Sequence, residues 1–323
     1  MKYQIIKEKL EGYIDEGIIH GVAFSFVNKQ IIEKYCLGVN GDEKKPIKIT
    51  DILYFDIASL TKVIGTTTRI MQLLDEKVIT LERKISEFVP GLKFQDITIK
   101  DLLLHSSGLS ADLQDKENLT KENVIERINR TVLQDELIYS DLGFILLGFI
   151  IEKIDGVSLE DSFQKHIFKK INMKSTSYKL QGNVENYIPT EIQESRGCIQ
   201  GIVHDSKAYQ IGMIGSAGLF STLHDVSLFA QSVLKDELIL TEESKQLLLK
   251  TMYNQRTIGW DKKFGNNVLY HTGFTGTSIC LDFKKEEGFI LLTNRTFPKR
   301  KDDFLEIRNE LVQLFLEENE EIK

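Results

Sequence analysis

The chain has 323 residues, enough for one large domain or two interlocked lobes. Hydrophobic residues make up 41% and charged residues 28%, the balance of a globular protein with a sizeable core. The net charge of −7 disfavours nucleic acid and anionic membrane surfaces as non-specific partners, and leaves a small neutral or short peptide-like molecule open.

Residues 1–16 mix charges with Ile5, Ile6, Leu10 and Ile14, the pattern of an amphipathic helix rather than a secretory leader. The longest apolar stretch, 142–151, is too short to span a bilayer. These features predict a cytoplasmic protein without a membrane span. Residues 22–27 and 31–37 are β-rich runs around Asn28-Lys29-Gln30 and predict a hairpin. A short extended piece, 53–57, then leads into a helix beginning near Ser59, whose apolar positions Val63, Ile70, Met71 and Leu74 fit a period near 3.6.

From about 60 to 200 the chain is expected to be mainly helical. Its clearest helix carries Leu142, Ile145, Leu146, Phe149, Ile150 and Ile154, with Ser140 or Asp141 as the N-cap and Gly156 at the end. Residues 175–201 have weak periodicity and predict a long loop. Strands return at 277–283 and 289–292, with a turn at 286–288. The last helix carries Phe304, Ile307, Leu311 and Leu314, a stripe expected to pack on the sheet face used by the first helix. The expected fold class is α+β. An antiparallel sheet is flanked by the N- and C-terminal helices, and a mainly helical lobe (61–205) is inserted between 1–60 and 206–323 of a single domain.

Cys36, Cys198 and Cys280 are odd in number and form no C-x-x-C pair, so reduced thiols are expected rather than a disulfide framework or zinc site. The six histidines show no His-x-x-x-His spacing, and no phosphate-binding glycine loop occurs. No metal or cofactor is expected.

Ser-x-x-Lys occurs three times, at Ser59/Lys62, Ser162/Lys165 and Ser232/Lys235. Only Ser59 follows an extended segment and opens a helix, where backbone N–H groups of the first turn lack helical partners and can hold an oxyanion. Residues three apart share a helix face, so Lys62 can reach the Ser59 hydroxyl and manage its proton. Tyr139-Ser140-Asp141 precedes the best helix and sets Tyr139 at a loop tip, able to relay protons. His271-Thr272-Gly273-Phe274 opens a strand. Glycine there permits close substrate approach, and the Phe274 N–H is a second oxyanion donor candidate. Taken singly, each motif is as well explained by caps and surface residues.

Together and in this order they resemble the serine β-lactamase-like and penicillin-binding superfamily, closest to its class C β-lactamase, esterase and D-aminopeptidase branch. Residues 55–62 (FDIASLTK), 102–109 (LLLHSSGL) and 217–222 (AGLFST) followed by Asp225 are similar to further shared stretches of that family. The resemblance implies acyl transfer through Ser59, with Lys62 and Tyr139 catalytic and Asp141, His271, Thr272, Gly273 and Phe274 around substrate and oxyanion. Two departures stand out. Asp141 replaces the usual Asn, and a carboxylate cannot donate to a substrate carbonyl; it also favours a charged Lys62, moving the base role toward Tyr139 or toward a coupled cluster that titrates as a unit. His271 replaces the usual Lys and weakens attraction for the β-lactam carboxylate.

The expected function is therefore a serine hydrolase of esters or amides, with D-amino acid or muropeptide-like substrates implied by the resemblance and β-lactam hydrolysis disfavoured. The alternative is a non-catalytic binder of cell-wall fragments on the same fold. His204-Asp205 and His224-Asp225 are assigned structural roles. Arg295, after the last strand, is a candidate for holding a substrate carboxylate.

Overall fold

Two β-rich runs become the first hairpin, β1 (Gly21–Asn28) and β2 (Ile32–Gly38). Asn28 closes the turn, its Oδ1 accepting the N–H groups of Gln30 and Ile31. The computed structural model describes residues 2–235, 238–250 and 253–317. Further strands are β3 (Phe55–Asp56), β4 (Glu191–Gln193), β5 (Gly197–Ile199), β6 (Phe220–Ser221), β7 (Val268–Thr272), β8 (Ser278–Asp282) and β9 (Glu287–Thr293). The α-helices are α1 (Lys2–Asp15), α2 (Thr68–Asp75), α3 (Ile99–Leu103), α4 (Val124–Asn129), α5 (Asp141–Asp155), α6 (Leu159–Phe163), α7 (Ser206–Ile211), α8 (Leu223–Lys235), α9 (Glu242–Lys250) and α10 (Phe304–Leu316).

The main sheet runs β2-β1-β9-β8-β7, antiparallel throughout. The period-2 alternation of its strands sorts side chains onto two buried faces. Phe24, Phe26, Tyr270, Cys280, Phe289 and Leu291 face α1 and α10, where they meet Ile6, Leu10, Phe304, Leu311 and Phe315. Ala23, Val27, Ile279, Leu281, Ile290 and Leu292 face the other way, into the larger core shared with α2, α5 and α8. The α+β class is thus observed, and both terminal helices cover one sheet face, as their apolar stripes require.

Three details differ from expectation. The helix after Ser59 is not regular. It opens as a 3-10 turn (Ala58–Leu60), continues as a π-helical stretch (Lys62–Thr67) and only then becomes α2. Thr68 Oγ1 donates back to the Val63 carbonyl across the wide turn (2.8 Å), and Thr66 Oγ1 donates to Gly215 O (2.7 Å), so hydroxyls take up carbonyls there. The turn expected at 286–288 falls earlier, ending at Glu286 with φ 56°, and Gly288 lies inside β9. A Cβ at Gly288 would sit 2.7 Å from Val27 Cγ2, so the glycine serves strand packing. The loop expected at 175–201 carries the small β4–β5 hairpin.

No described helix is long and apolar enough to cross a membrane.

Candidate active site

The Ser59 segment is held by side chains that the chain places on either side of it. β3 pairs with β6, and Leu219 N–H donates to Thr61 Oγ1 (3.2 Å), so residues 217–222 brace 55–61. Ala58 adopts φ 46°, a left-handed conformation that costs a non-glycine residue about 1 kcal/mol or more. Asp56 holds it there. Its Oδ1 accepts the Ala58 N–H (2.9 Å), and its Oδ2 accepts the His204 N–H (2.7 Å). Asp56 is buried. Desolvation raises its carboxyl above the usual range, against the opposing pull of those two N–H groups.

This turn presents Ser59 to a cleft of about 920 Å³ and buries Lys62 beneath it. Lys62 Nζ donates to Ser59 Oγ (3.0 Å), Asp141 Oδ1 (2.6 Å) and Ser216 O (2.9 Å). Three acceptors around one nitrogen match the three donors of an ammonium. Burial alone would lower its pKa, but the Asp141 carboxylate and Tyr139 outweigh it and hold the group above the ordinary lysine range. The other two Ser-x-x-Lys pairs are not assembled this way: Ser162 donates to Asp155 (2.6 Å), Ser232 is buried, and Lys165 and Lys235 are exposed.

Ser140 caps α5 by accepting from Gly143 N (3.4 Å), and Gly156 ends that helix at φ 68°. Capping fixes the two residues that flank it. Asp141 opens the helix with one oxygen on Lys62 and the other 3.1 Å from Lys207 Nζ. Burial would raise its pKa; the two lysines prevail and set it at about 2. Tyr139 lines the cleft, its ring centroid 5.0 Å from Lys62 Nζ. His105, in a left-handed turn at φ 57°, accepts the Ser140 N–H on Nδ1 (3.0 Å) and packs its ring 4.4 Å from that of Tyr139. The 102–109 stretch therefore seats the tyrosine.

The opposite wall is the end of β7; the 271–274 segment closes this strand rather than opening one as expected, with His271 and Thr272 its last residues and Gly273 and Phe274 beyond it. Thr272, Gly273 and Phe274 line the cleft. A Cβ on Gly273 would lie 2.6 Å from Ile57 O and 2.1 Å from Thr277 Oγ1, so only glycine lets this edge approach the Ser59 turn. Thr275 and Thr277 tie the same turn down through Asp56 O (2.7 Å) and Ile57 O (3.2 Å). His271 is buried, its ring 6.2 Å from Tyr139 and 6.3 Å from Trp260, and is not a lining residue. Desolvation, then the charges of Lys62 and Arg256, push its pKa well below the usual range, so it is neutral at pH 7.

Sequence reasoning missed part of the site. Lys207, Asp112 and Asp205 line the cleft beside Asp141, and Asp56 links the Ser59 turn to His204. The His204-Asp205 pair is the signal that lay in the sequence: Asp205 caps α7 and binds Lys207, and the His204 ring stacks on Phe274 (5.1 Å). Arg295 does reach the cleft. Its Nε donates to Phe274 O (3.1 Å) and its Nη1 to Lys301 O (2.8 Å), with Asp302 3.4 Å away. Six Lys or Arg residues line the cleft against three Asp, the reverse of the chain's net charge, and Arg295, Arg300 and Arg308 gather at the Phe274 end. No group of His, Cys, Asp and Glu among the described residues has the arrangement of a metal site.

The family model described as Beta-lactamase matches residues 6–313. The chain is 26% identical to an N-acetylmuramyl-L-alanine amidase of Bacillus subtilis (strain 168), over 91% of this chain and 81% of that protein. It is 25% identical to a putative D-alanyl-D-alanine carboxypeptidase of Escherichia coli (strain K12), over 78% and 71%. Its fold is that of EstCE1, a hydrolase with promiscuous acyltransferase activity, at a TM-score of 0.78, 17% identity and coverage of 96% and 98%. The chain belongs to the Beta-lactamase family of serine hydrolases.

Proposed function

We propose that this hydrolase cleaves esters or amides through an acyl-enzyme on Ser59. The observation that carries this reading is the buried Lys62 ammonium donating at 3.0 Å to the Oγ of Ser59, which lines the cleft. Because all three Lys62 donors are occupied, Lys62 polarises the serine rather than taking its proton. The proton is assigned to Tyr139, which adjoins Lys62 on the cleft wall.

In the proposed reaction Ser59 Oγ attacks the substrate carbonyl carbon as its proton passes to the Tyr139 oxygen and the Tyr139 hydroxyl proton moves on to the leaving-group atom. The C–O bond forms, and the carbonyl π pair moves onto oxygen, facing the Ser59 and Phe274 N–H groups. Collapse breaks the bond to the leaving group, which departs carrying the proton relayed through Tyr139. Water then attacks the acyl carbon by the same route in reverse and frees Ser59.

The names of the two relatives above describe amide hydrolases, which supports D-amino acid or muropeptide-like amides as the substrate class. The cationic Phe274 end supports an acid-bearing substrate. Slow β-lactam turnover is expected, because the neutral, buried His271 supplies no cation at the strand edge.

Intact-mass labelling with a fluorophosphonate tests the reading. One adduct is expected on the wild type and none on Ser59→Ala. A folded wild type that takes no adduct would refute the acyl-enzyme and favour a binder of the same ligands.

A further inference from the structure

Lys207 stands where neither helix stability nor solvation favours a lysine. It lies in the first turn of α7, against the helix dipole, and its side chain is 2% exposed. Its Nζ is nevertheless fully engaged, 3.1 Å from Asp112 Oδ1, 3.1 Å from Asp141 Oδ2 and 3.0 Å from Asp205 Oδ2. Asp141 is likewise committed on both oxygens, one to each lysine. The chain thus builds a continuous path, Ser59–Lys62–Asp141–Lys207, anchored at its far end by two further carboxylates.

We propose that Lys207 is a positioning residue for the hydrolase: by pinning Oδ2 of Asp141 it keeps Oδ1 on Lys62, and so keeps the Lys62 ammonium on Ser59. The inference rests on the acyl-enzyme reading above.

The electrostatics fit. An aspartate between a single lysine and the cleft would be free to rotate toward water or substrate. With a cation on each oxygen it has one orientation. The charged groups facing the clamp come from every neighbouring element: Lys62 from the nucleophile turn, Asp141 from α5, Asp205 before α7, and Asp112 with its partner Lys116 from the loop after residue 109. Tyr139 and the neutral His105 cover the remaining side, with the Arg256 guanidinium 5.1 Å over the Tyr139 ring. Lys207 also explains Asp141 itself. An asparagine there would leave Lys62 and Lys207 with no anion between them; the aspartate and Lys207 belong together.

The test is a double-mutant cycle read by fluorophosphonate labelling rate, with a direct titration beside it. Lys207→Met is expected to slow labelling about 10-fold, the scale of coupling between residues of one network. In an Asp141→Asn background the same substitution should change the rate by less than about threefold, because there is no carboxylate left to pin. Carboxyl ¹³C NMR of labelled aspartate should show Asp141 titrating roughly one pH unit higher in Lys207→Met, since one of two adjacent cations is gone. If Lys207→Met does not fold, Lys207→Gln carries both measurements.

A loss of rate that is equal in both backgrounds would assign Lys207 to folding alone and overturn the proposal. An unmoved Asp141 titration would do the same. If the titration shifts while the wild type takes no label, the clamp stands and the acyl-enzyme reading fails.

Discussion

Removing the Asp56 carboxylate should damage the enzyme twice, and the two losses have separable readouts. Asp56→Ala leaves the Ala58 and His204 N–H groups without their acceptor in a buried site. Each orphaned buried donor costs about 1–3 kcal/mol. Part of that is offset, because the native carboxylate is itself desolvated and sits above its ordinary pKa. The expected net loss is about 2–4 kcal/mol of unfolding free energy. Catalysis should suffer more. Ala58 holds a left-handed turn at φ 46°, and without its acceptor that turn relaxes and displaces Ser59. A displacement near 1 Å costs roughly 100-fold in rate. Asp56→Asn should fall between, since its amide oxygen accepts one N–H while its NH₂ faces the other. The assays are urea unfolding and the second-order rate of fluorophosphonate labelling. Labelling within twofold of wild type in a folded Asp56→Ala protein would show that the turn does not depend on this carboxylate.

Other perturbations follow from the same geometry. Gly273→Ala places a Cβ 2.6 Å from Ile57 O, which is backbone and must move; labelling should fall by roughly 100-fold at a stability cost of about 1–3 kcal/mol, measured together. Asp141 gives the acid dependence. Its pKa is depressed from 3.8 to about 2, so its contribution to stability is complete above pH 4 and is lost as pH falls through 2. That contribution is roughly 2 kcal/mol, and Asp141→Asn should abolish this component of the pH dependence of the urea midpoint. Arg300 is half exposed at the cationic end of the cleft, so Arg300→Ala should reduce any preference for a carboxylate-bearing ester over its methyl ester by only about threefold in kcat/KM, the size of a solvated charge contact.

What the sequence made legible was whatever repeats along one element. The β1–β2 hairpin, the apolar stripes of α1 and α10, and the Ser140 and Gly156 caps of α5 are properties of a few neighbouring residues, and each is where the pattern put it, whereas β7, whose last two residues were expected to open a strand, was not marked out by its own run. The Ser59–Lys62 contact was legible for the same reason, although the turn that makes it is 3-10 and π rather than α. The π stretch depends on Gly65 lying against the Phe163 ring and on Thr66 reaching Gly215, contacts between residues about 100 and 150 positions apart that no local pattern encodes.

The same distinction separates the two halves of the charged site. Lys62 and Ser59 are one turn apart, whereas Asp141 meets Lys207 from another helix and Asp112 and Asp205 from two loops. Asp141 alone reads as a departure that adds a carboxylate where an amide donor is usual. Placed between two lysines it has a physical role: it carries the charge that lets Lys62 remain an ammonium while fully buried, which an unpaired lysine could not do without losing its proton. A lysine kept protonated cannot serve as the base, so in the proposed mechanism the carboxylate that seemed to weaken the site instead divides the roles within it, with Lys62 orienting and polarising Ser59 and Tyr139 left as the group to which the proton is assigned.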